Sequence, residues 1–442
     1  MAHGRLILAL ILGLAFVLSA RASDLPRPLT KDDFIAFDTR QARIGQLLFY
    51  DKILSGNRNI SCGTCHHHKH GGTDGLSLGI GEGGEGVGPK RTAGKGENRI
   101  RKRIPRNAPA LWNLGAKEIR VLFHDGRLEE SDLYENGFNS PAEEWLPKGL
   151  SSLLAAQALL PMTAQFEMAG NPKENQVAGA AHDRIDRVWP IVAKRVRTIP
   201  AYGIMFVTAF DHIESPEQIS EIDIAEALAA FIGTEWQSYD SPFDDYLKGN
   251  PNALTPIQKR GMNIFYGDGN CVACHSGPLF TDQNFHALAL PAFGPGRTRL
   301  FDPAARDVGR MGESDRLEDA YRFRTPSLRN VTLTAPYGHN GAYPTLRGIV
   351  QHHLDPLNAL DRWTRDLANL PTAPWLAEID FVITKDKREM ARQRAKIDIE
   401  PRNLRDDQIE DLLAFLRALE GKSAQSLPLG RPESVPSSLP VD

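Results

Sequence analysis

The sequence predicts a mainly α-helical chain built from two tandem units of one design, and three observations predict it. The pattern C-x-x-C-H occurs as Cys62-Gly63-Thr64-Cys65-His66 and again as Cys271-Val272-Ala273-Cys274-His275, and the two copies use all four cysteines of the 442 residues. Each copy follows a short helical pattern ending in Phe-Tyr, Ile44 to Tyr50 before the first and Gly261 to Tyr266 before the second. Strand-like alternation is sparse, whereas apolar residues at helical spacing recur.

C-x-x-C-H is the attachment signature of a c-type haem: the two thiols form thioethers with the porphyrin and the histidine ligates iron. A bare C-x-x-C could be a dithiol or half of a zinc site. Here a histidine follows each pair at once and no further cysteine remains. The expected cofactors are two c-type haems, bound by Cys62 and Cys65 and by Cys271 and Cys274, with His66 and His275 as axial ligands. Each unit is then a cytochrome c-like domain holding one covalently bound haem.

Taken in order, the chain opens with a short basic segment, an apolar run from Leu6 to Leu18 and Ala20-Arg21-Ala22. That is a signal peptide over 1–22, shorter in its apolar part than the ~20 residues of a membrane span. C-type haem is attached outside the cytoplasm, so the periplasm is the expected location.

The first unit is expected over 23–240. Its Gly71 to Gly96 stretch is too glycine-rich for regular structure, and the basic clump from Lys90 to Arg106 reads as a solvated loop that could steer an acidic partner. Beyond His66, the run His67-His68-Lys69-His70 also reads as a solvated polar loop. A net charge of −3 leaves no electrostatic footprint for nucleic acid. An amphipathic helix from Ile224 to Ile232 closes this unit.

The boundary falls between Ser241 and Asn252, where Pro, Gly and Asn cluster. The second unit, 241–425, opens its first clear helix with Thr255-Pro256-Ile257-Gln258, a capping box with proline at the first helical position. Leu346, Ile349, Val350 and His353 share one helix face, which makes His353 the expected second ligand of the second iron. His352 points to the side of that stripe, and the sequence leaves open which of the two ligates. Met168, Met205 and Met311 have no periodic signal as ligands, and Met262 belongs to packing. The stretch Ile409 to Leu416 closes the unit, and 426–442, rich in Pro and Ser, is expected as a flexible tail or a surface arm.

With these residues in view, the sequence resembles the bacterial dihaem cytochrome c peroxidase family, including its MauG-like branch. Besides the haem motifs, the likeness is carried by Pro105-Arg106-Asn107-Ala108-Pro109, Phe123-His124-Asp125-Gly126-Arg127, Phe166-Glu167-Met168, Thr325 to Asn330 and Thr334 to Gly341. The resemblance implies that the first haem reacts with hydrogen peroxide, that Glu167 does acid–base chemistry there, and that the second haem relays electrons. It places His353 where the family has Met or, in the MauG-like branch, Tyr. It also implies a calcium ion held by the Asn107 side chain and the carbonyls of Thr334 and Pro336. Glu82 stands where typical members have a detachable histidine, and His124 replaces a tryptophan as a relay between the haems.

The implied partners are a small periplasmic cytochrome c or cupredoxin as electron donor or, on the MauG-like alternative, a protein whose Trp or Tyr is oxidised. A homodimer stays open. A rival from another class is a non-enzymatic electron carrier with both irons capped.

Overall fold

The computed structural model describes residues 25–298 and 304–442, so the expected signal peptide lies outside the described residues. Asp38 starts the leading helix of the first half, Thr39–Tyr50, by accepting the amides of Arg40 and Gln41. This helix crosses the closing helix Glu221–Glu235, which begins with a capping box between Ser220 and Asp223. The crossing is close because Gly45 has no side chain: a β-carbon there would run into the Ala227 carbonyl and lie 2.8 Å from Phe231 Cβ.

The second half repeats this construction. Thr255 and Gln258 form the expected capping box of helix Pro256–Tyr266, which crosses Asp406–Arg417. A β-carbon on Gly261 would meet the Asp411 carbonyl and lie 2.9 Å from Phe415 Cβ. Phe49 meets Phe231 edge-on with ring centroids 5.1 Å apart, and Phe265 meets Phe415 at 5.3 Å. Each crossing has its own apolar core, one running from Leu29 to Trp236 and one around Phe243, Phe265, Phe280 and Phe415. Among the described residues, strands are confined to a short three-stranded antiparallel sheet within Val121 to Asn139 and a pairing of Phe285–His286 with Phe323–Arg324.

Buried ion pairs join the halves. Arg106 makes a two-pronged contact with Asp307, both bonds 2.7 Å, and also meets Asp125 at 2.5 Å. Arg297 reaches back to Asp125 at 3.1 Å, and Arg103 bonds Asp380 at 2.8 Å.

At the expected boundary Ser241 caps helix Pro242–Leu247, and Phe243 is part of the second core. Two loop expectations are corrected here. Within the basic clump, Arg91, Arg103 and Arg106 are buried. Arg91 donates to the carbonyls of Ile80, Gly81 and Gly86, so the glycine-rich loop is wrapped around a guanidinium that satisfies its backbone. His67 is 3% exposed and His68 is packed against Tyr50 and Trp236, so these two rings are interior, while Lys69 beside them is exposed as expected.

The stretch 426–442, expected as a flexible tail or a surface arm, is an arm across the first half. Val435 enters the first core, Gln46 donates to the carbonyls of Leu429 and Gly430, and Ser437 donates to Asp51 at 2.6 Å. Its apolar residues find a surface to cover, and its backbone polar groups find partners there.

Candidate functional site

The first attachment motif is a single helical turn, Cys62–Cys65, opened by a capping box between Ser61 and Thr64. His66 leaves that turn with its Nδ1–H donating to the Gly72 carbonyl at 2.9 Å. In the second half, His275 donates from Nδ1 to the Phe280 carbonyl at 3.1 Å, and His353 from Nδ1 to the Ile349 carbonyl at 2.8 Å. A carbonyl only accepts, so in all three rings Nε2 keeps its lone pair, the orientation in which a histidine ligates a metal. Burial pushes His275 down to about 4, with His353 adding to the effect, and burial also lowers His66 and His353. Each is therefore neutral near pH 7, as a ligand must be.

His353 lies on helix Leu346–Leu354, capped by Thr345. Its ring centroid is 6.3 Å from that of His275, and both rings line a cavity of about 670 Å³ together with Cys271 and Cys274. Two imidazoles bound at about 2 Å on opposite sides of one metal place their centroids about 6 Å apart, so this pair fits a haem iron between them. His352 is turned away. Its Nδ1 is 2.8 Å from the Tyr343 hydroxyl and its Nε2 2.8 Å from the Leu288 carbonyl, which leaves neither nitrogen for a metal.

The four cysteines are unpaired, and burial pushes the thiols of Cys62, Cys65 and Cys271 up to about 12. Protonated thiols suit thioether formation better than service as a dithiol redox pair. Cys274 also shares a cluster with Asp282 and His286, their donor atoms within 4.8 Å of one another, but a thioether to haem would withdraw its sulfur from such a set.

Glu167 sits on a π-turn, Gln165–Ala169, a local widening that recurs at functional sites. The glycine-rich loop lies directly on it: Glu82 N–H donates to the carbonyls of Phe166 and Glu167 at 3.2 and 3.0 Å. A β-carbon on Gly81 would strike the Phe166 carbonyl. Burial raises the Glu167 carboxyl, against the pull of Arg127 and Arg297. Arg127 itself lies 3.9 Å over the Phe123 ring. The Glu82 side chain is occupied elsewhere, its Oε1 accepting the amides of Asn57 at 2.9 Å and Asn59 at 2.8 Å.

His124 stands at the junction of the halves, lining the same cavity as His275, with Nε2 donating to the Asn107 carbonyl at 3.2 Å. Burial, helped by Arg106, pushes it down to about 4. Phe123 before it has φ of 66°, a left-handed conformation that costs a non-glycine residue about 1–2 kcal/mol. Asn107, Thr334 and Pro336 line this cavity too, and the Asn107 amide donates to the Leu76 carbonyl at 2.7 Å, which leaves its oxygen as the end able to meet a cation.

Sequence reasoning missed two groups. His339 is stacked on Phe323 with centroids 3.6 Å apart, pushed down to about 3 by burial, and its Nδ1 has no hydrogen-bond partner. Arg127 faces Glu167 electrostatically. Both lie inside motifs quoted for the family resemblance, but nothing in their spacing distinguished them from structural residues.

Two C-x-x-C-H turns in a mainly helical chain, each presenting a neutral histidine through Nε2, define a c-type haem protein. Comparison with known proteins places it more closely. The family described as di-haem cytochrome c peroxidase matches residues 39–252. Cytochrome c551 peroxidase of Nitrosomonas europaea is 30% identical over 310 residues, covering 70% of this chain and 71% of that one. The methylamine utilization protein MauG of Methylorubrum extorquens is 28% identical over 312 residues, 70% of this chain and 67% of that protein. Among solved structures, a MauG-like protein associated with microbial copper homeostasis superposes with a TM-score of 0.60 at 25% identity, covering 92% of this chain and 96% of that one. The diheme peroxidase BthA from Burkholderia thailandensis shares the fold, with a TM-score of 0.54 at 22% identity over 92% of this chain and 91% of its own. The chain belongs to the di-haem cytochrome c peroxidase family, and two c-type haems go with that membership. Among the described residues no helix is long and apolar enough to cross a membrane.

Proposed function

We propose that the protein is a periplasmic dihaem peroxidase that reduces hydrogen peroxide at the first haem with electrons relayed through the second. The observation that carries this reading is Glu167, a carboxyl whose affinity for protons is raised by burial on a backbone turn locked by the glycine-rich loop. The haem supplies the redox chemistry of O–O cleavage once Cys62, Cys65 and His66 hold it. Glu167 takes a proton from the near oxygen of peroxide and returns it to the far one, a task helped by burial, which raises its affinity for a proton. Arg127 and Arg297 oppose that rise, favouring the ionised carboxylate. In the second half, His275 and His353 would hold the second haem's iron and leave it no room for substrate, which suits electron storage. His124 bridges the junction as a relay, and Asn107 with the carbonyls of Thr334 and Pro336 would hold a calcium ion there. A small one-electron donor protein docks near the second haem.

Replacing Glu167 by Gln is expected to lower peroxide turnover by about 10²–10⁴-fold while both haem spectra stay intact. Turnover at the wild-type rate would remove Glu167 from the mechanism. A MauG-like reaction, oxidation of Trp or Tyr in a partner protein, is the second reading. It is favoured by the His275–His353 pair, because nitrogen in place of thioether sulfur lowers a haem potential and makes a poor acceptor from high-potential donors. Fast turnover with a high-potential cytochrome or cupredoxin would decide against it.

A further inference from the structure

Tyr50, His68 and Glu235 form a buried chain that the peroxidase reading leaves without a task. The Tyr50 hydroxyl is hydrogen-bonded to His68 Nδ1, and His68 Nε2 lies 2.8 Å from Oε1 of Glu235. Tyr50 and Glu235 are completely buried. The Glu235 carboxylate also accepts the amides of Leu429 at 2.8 Å and Gly430 at 2.6 Å, donors contributed by the C-terminal arm. A carboxylate on Nε2 fixes the His68 proton there, so Nδ1 is the nitrogen that accepts from the phenol. The Tyr50 ring packs on the first haem-attachment turn: a β-carbon on Gly63, between the two cysteines, would strike it. Burial raises the phenol, so in the resting protein it keeps its proton.

We propose that Tyr50 is a redox-active side chain: an oxidised first haem takes one electron from its ring while the phenolic proton passes along the hydrogen bond to His68 Nδ1. The products are a neutral phenoxyl radical and a His68 imidazolium facing the Glu235 carboxylate. The inference rests on the peroxide reaction proposed above, which supplies the oxidant. Peroxide takes two electrons and two protons to become two waters, and Tyr50 lends one of those electrons. The external one-electron donor later returns it, and His68 returns the proton. Such a site lets the protein hold an oxidising equivalent off the haem until a donor arrives.

Two comparisons within the chain support Tyr50 over its neighbours. Trp236, whose ring is 5.0 Å from His68, has a buried indole N–H with no partner, so its oxidation would leave an uncompensated cation in the interior. In the second half Tyr266 occupies the matching place before its haem motif, but Gly277 stands where His68 stands in the first, two residues after the motif histidine. The acceptor is therefore particular to the first haem. It is built from the histidine run that composition alone assigned to a solvated loop.

The test is electron paramagnetic resonance of the haem-loaded protein frozen after one equivalent of peroxide, with wild type also grown on ring-deuterated tyrosine. We expect a narrow organic-radical signal whose ring-proton splitting collapses on deuteration. It should fall at least tenfold in Tyr50→Phe, fall several-fold in His68→Gln and stay unchanged in Tyr266→Phe, with the haem absorption bands intact in each. A deuterium-sensitive signal of wild-type strength in Tyr50→Phe overturns the inference. So does a wild type whose ferric first-haem signal is consumed by peroxide with no tyrosine radical, a result that leaves the peroxidase reading standing. If peroxide does not alter the ferric signals at all, the peroxidase reading fails and the inference with it.

Discussion

Asp74 shows how one buried group ties stability to pH. Its Oδ1 accepts the Leu76 amide at 3.0 Å, its Oδ2 has no hydrogen-bond partner, and burial pushes the carboxyl up to about 7. The folded protein thus holds a proton that an unfolded chain releases near pH ~3.9. That contribution to stability is present in full below about pH 4 and is lost as pH rises to about 7. Asp74→Asn should therefore gain on wild type between pH 5 and pH 8 in urea unfolding, and a pH-independent difference would contradict the assignment. His353 makes a second prediction at this scale. If it ligates opposite His275, His353→Met should raise the second haem's potential by on the order of a hundred millivolts, within the ~0.8 V that axial ligands span. A redox titration identical to wild type would exclude it as a ligand. The face that turns His353 into the cavity was legible from helical periodicity, but its separation from His352 was not, because only the positions of Tyr343 and Leu288 show that both His352 nitrogens are taken.

At the level of elements, the two helix crossings carry the repeat. Gly45 and Gly261 bring each leading helix against the carbonyl of a closing helix, and the edge-on phenylalanine pairs fill the space beside them. Alanine at either site has no room, so Gly45→Ala and Gly261→Ala should each cost about 1–3 kcal/mol or more. Denaturant unfolding of the loaded protein would show this as a lowered midpoint, and an unchanged midpoint would mean that the helices can separate without penalty. The repeat itself was readable, since Phe-Tyr before each motif and the two closing amphipathic stretches lie close to their neighbours in sequence. The π-turn under Glu167 was not, because it depends on Gly81 and Glu82 resting on it from a loop about eighty residues away.

For the whole molecule, the junction between the halves is polar and buried, with Arg106 between Asp125 and Asp307 and His124 bonded to Asn107. A calcium ion held there by Asn107, Thr334 and Pro336 would tie together the two halves across which the proposed relay passes an electron. Chelation is expected to lower the melting temperature and slow turnover. Added calcium should restore both in the wild type and should not in Asn107→Ala. A chelated protein with unchanged melting and turnover would remove the ion from the account.

By itself the sequence determined the haem-attachment motifs, the helix that precedes each of them and the helix faces, because C-x-x-C-H, caps and helical periodicity act within a few residues along the chain. Tertiary structure alone decided which polar groups are interior: His67 and His68 of the histidine run, three arginines of the basic clump, and an arm from the end of the chain that reaches Glu235. Charge and composition look alike in a solvated loop and a buried one. Whether a buried partner waits at the other end of a hydrogen bond depends on residues that the fold, and not the local sequence, brings together.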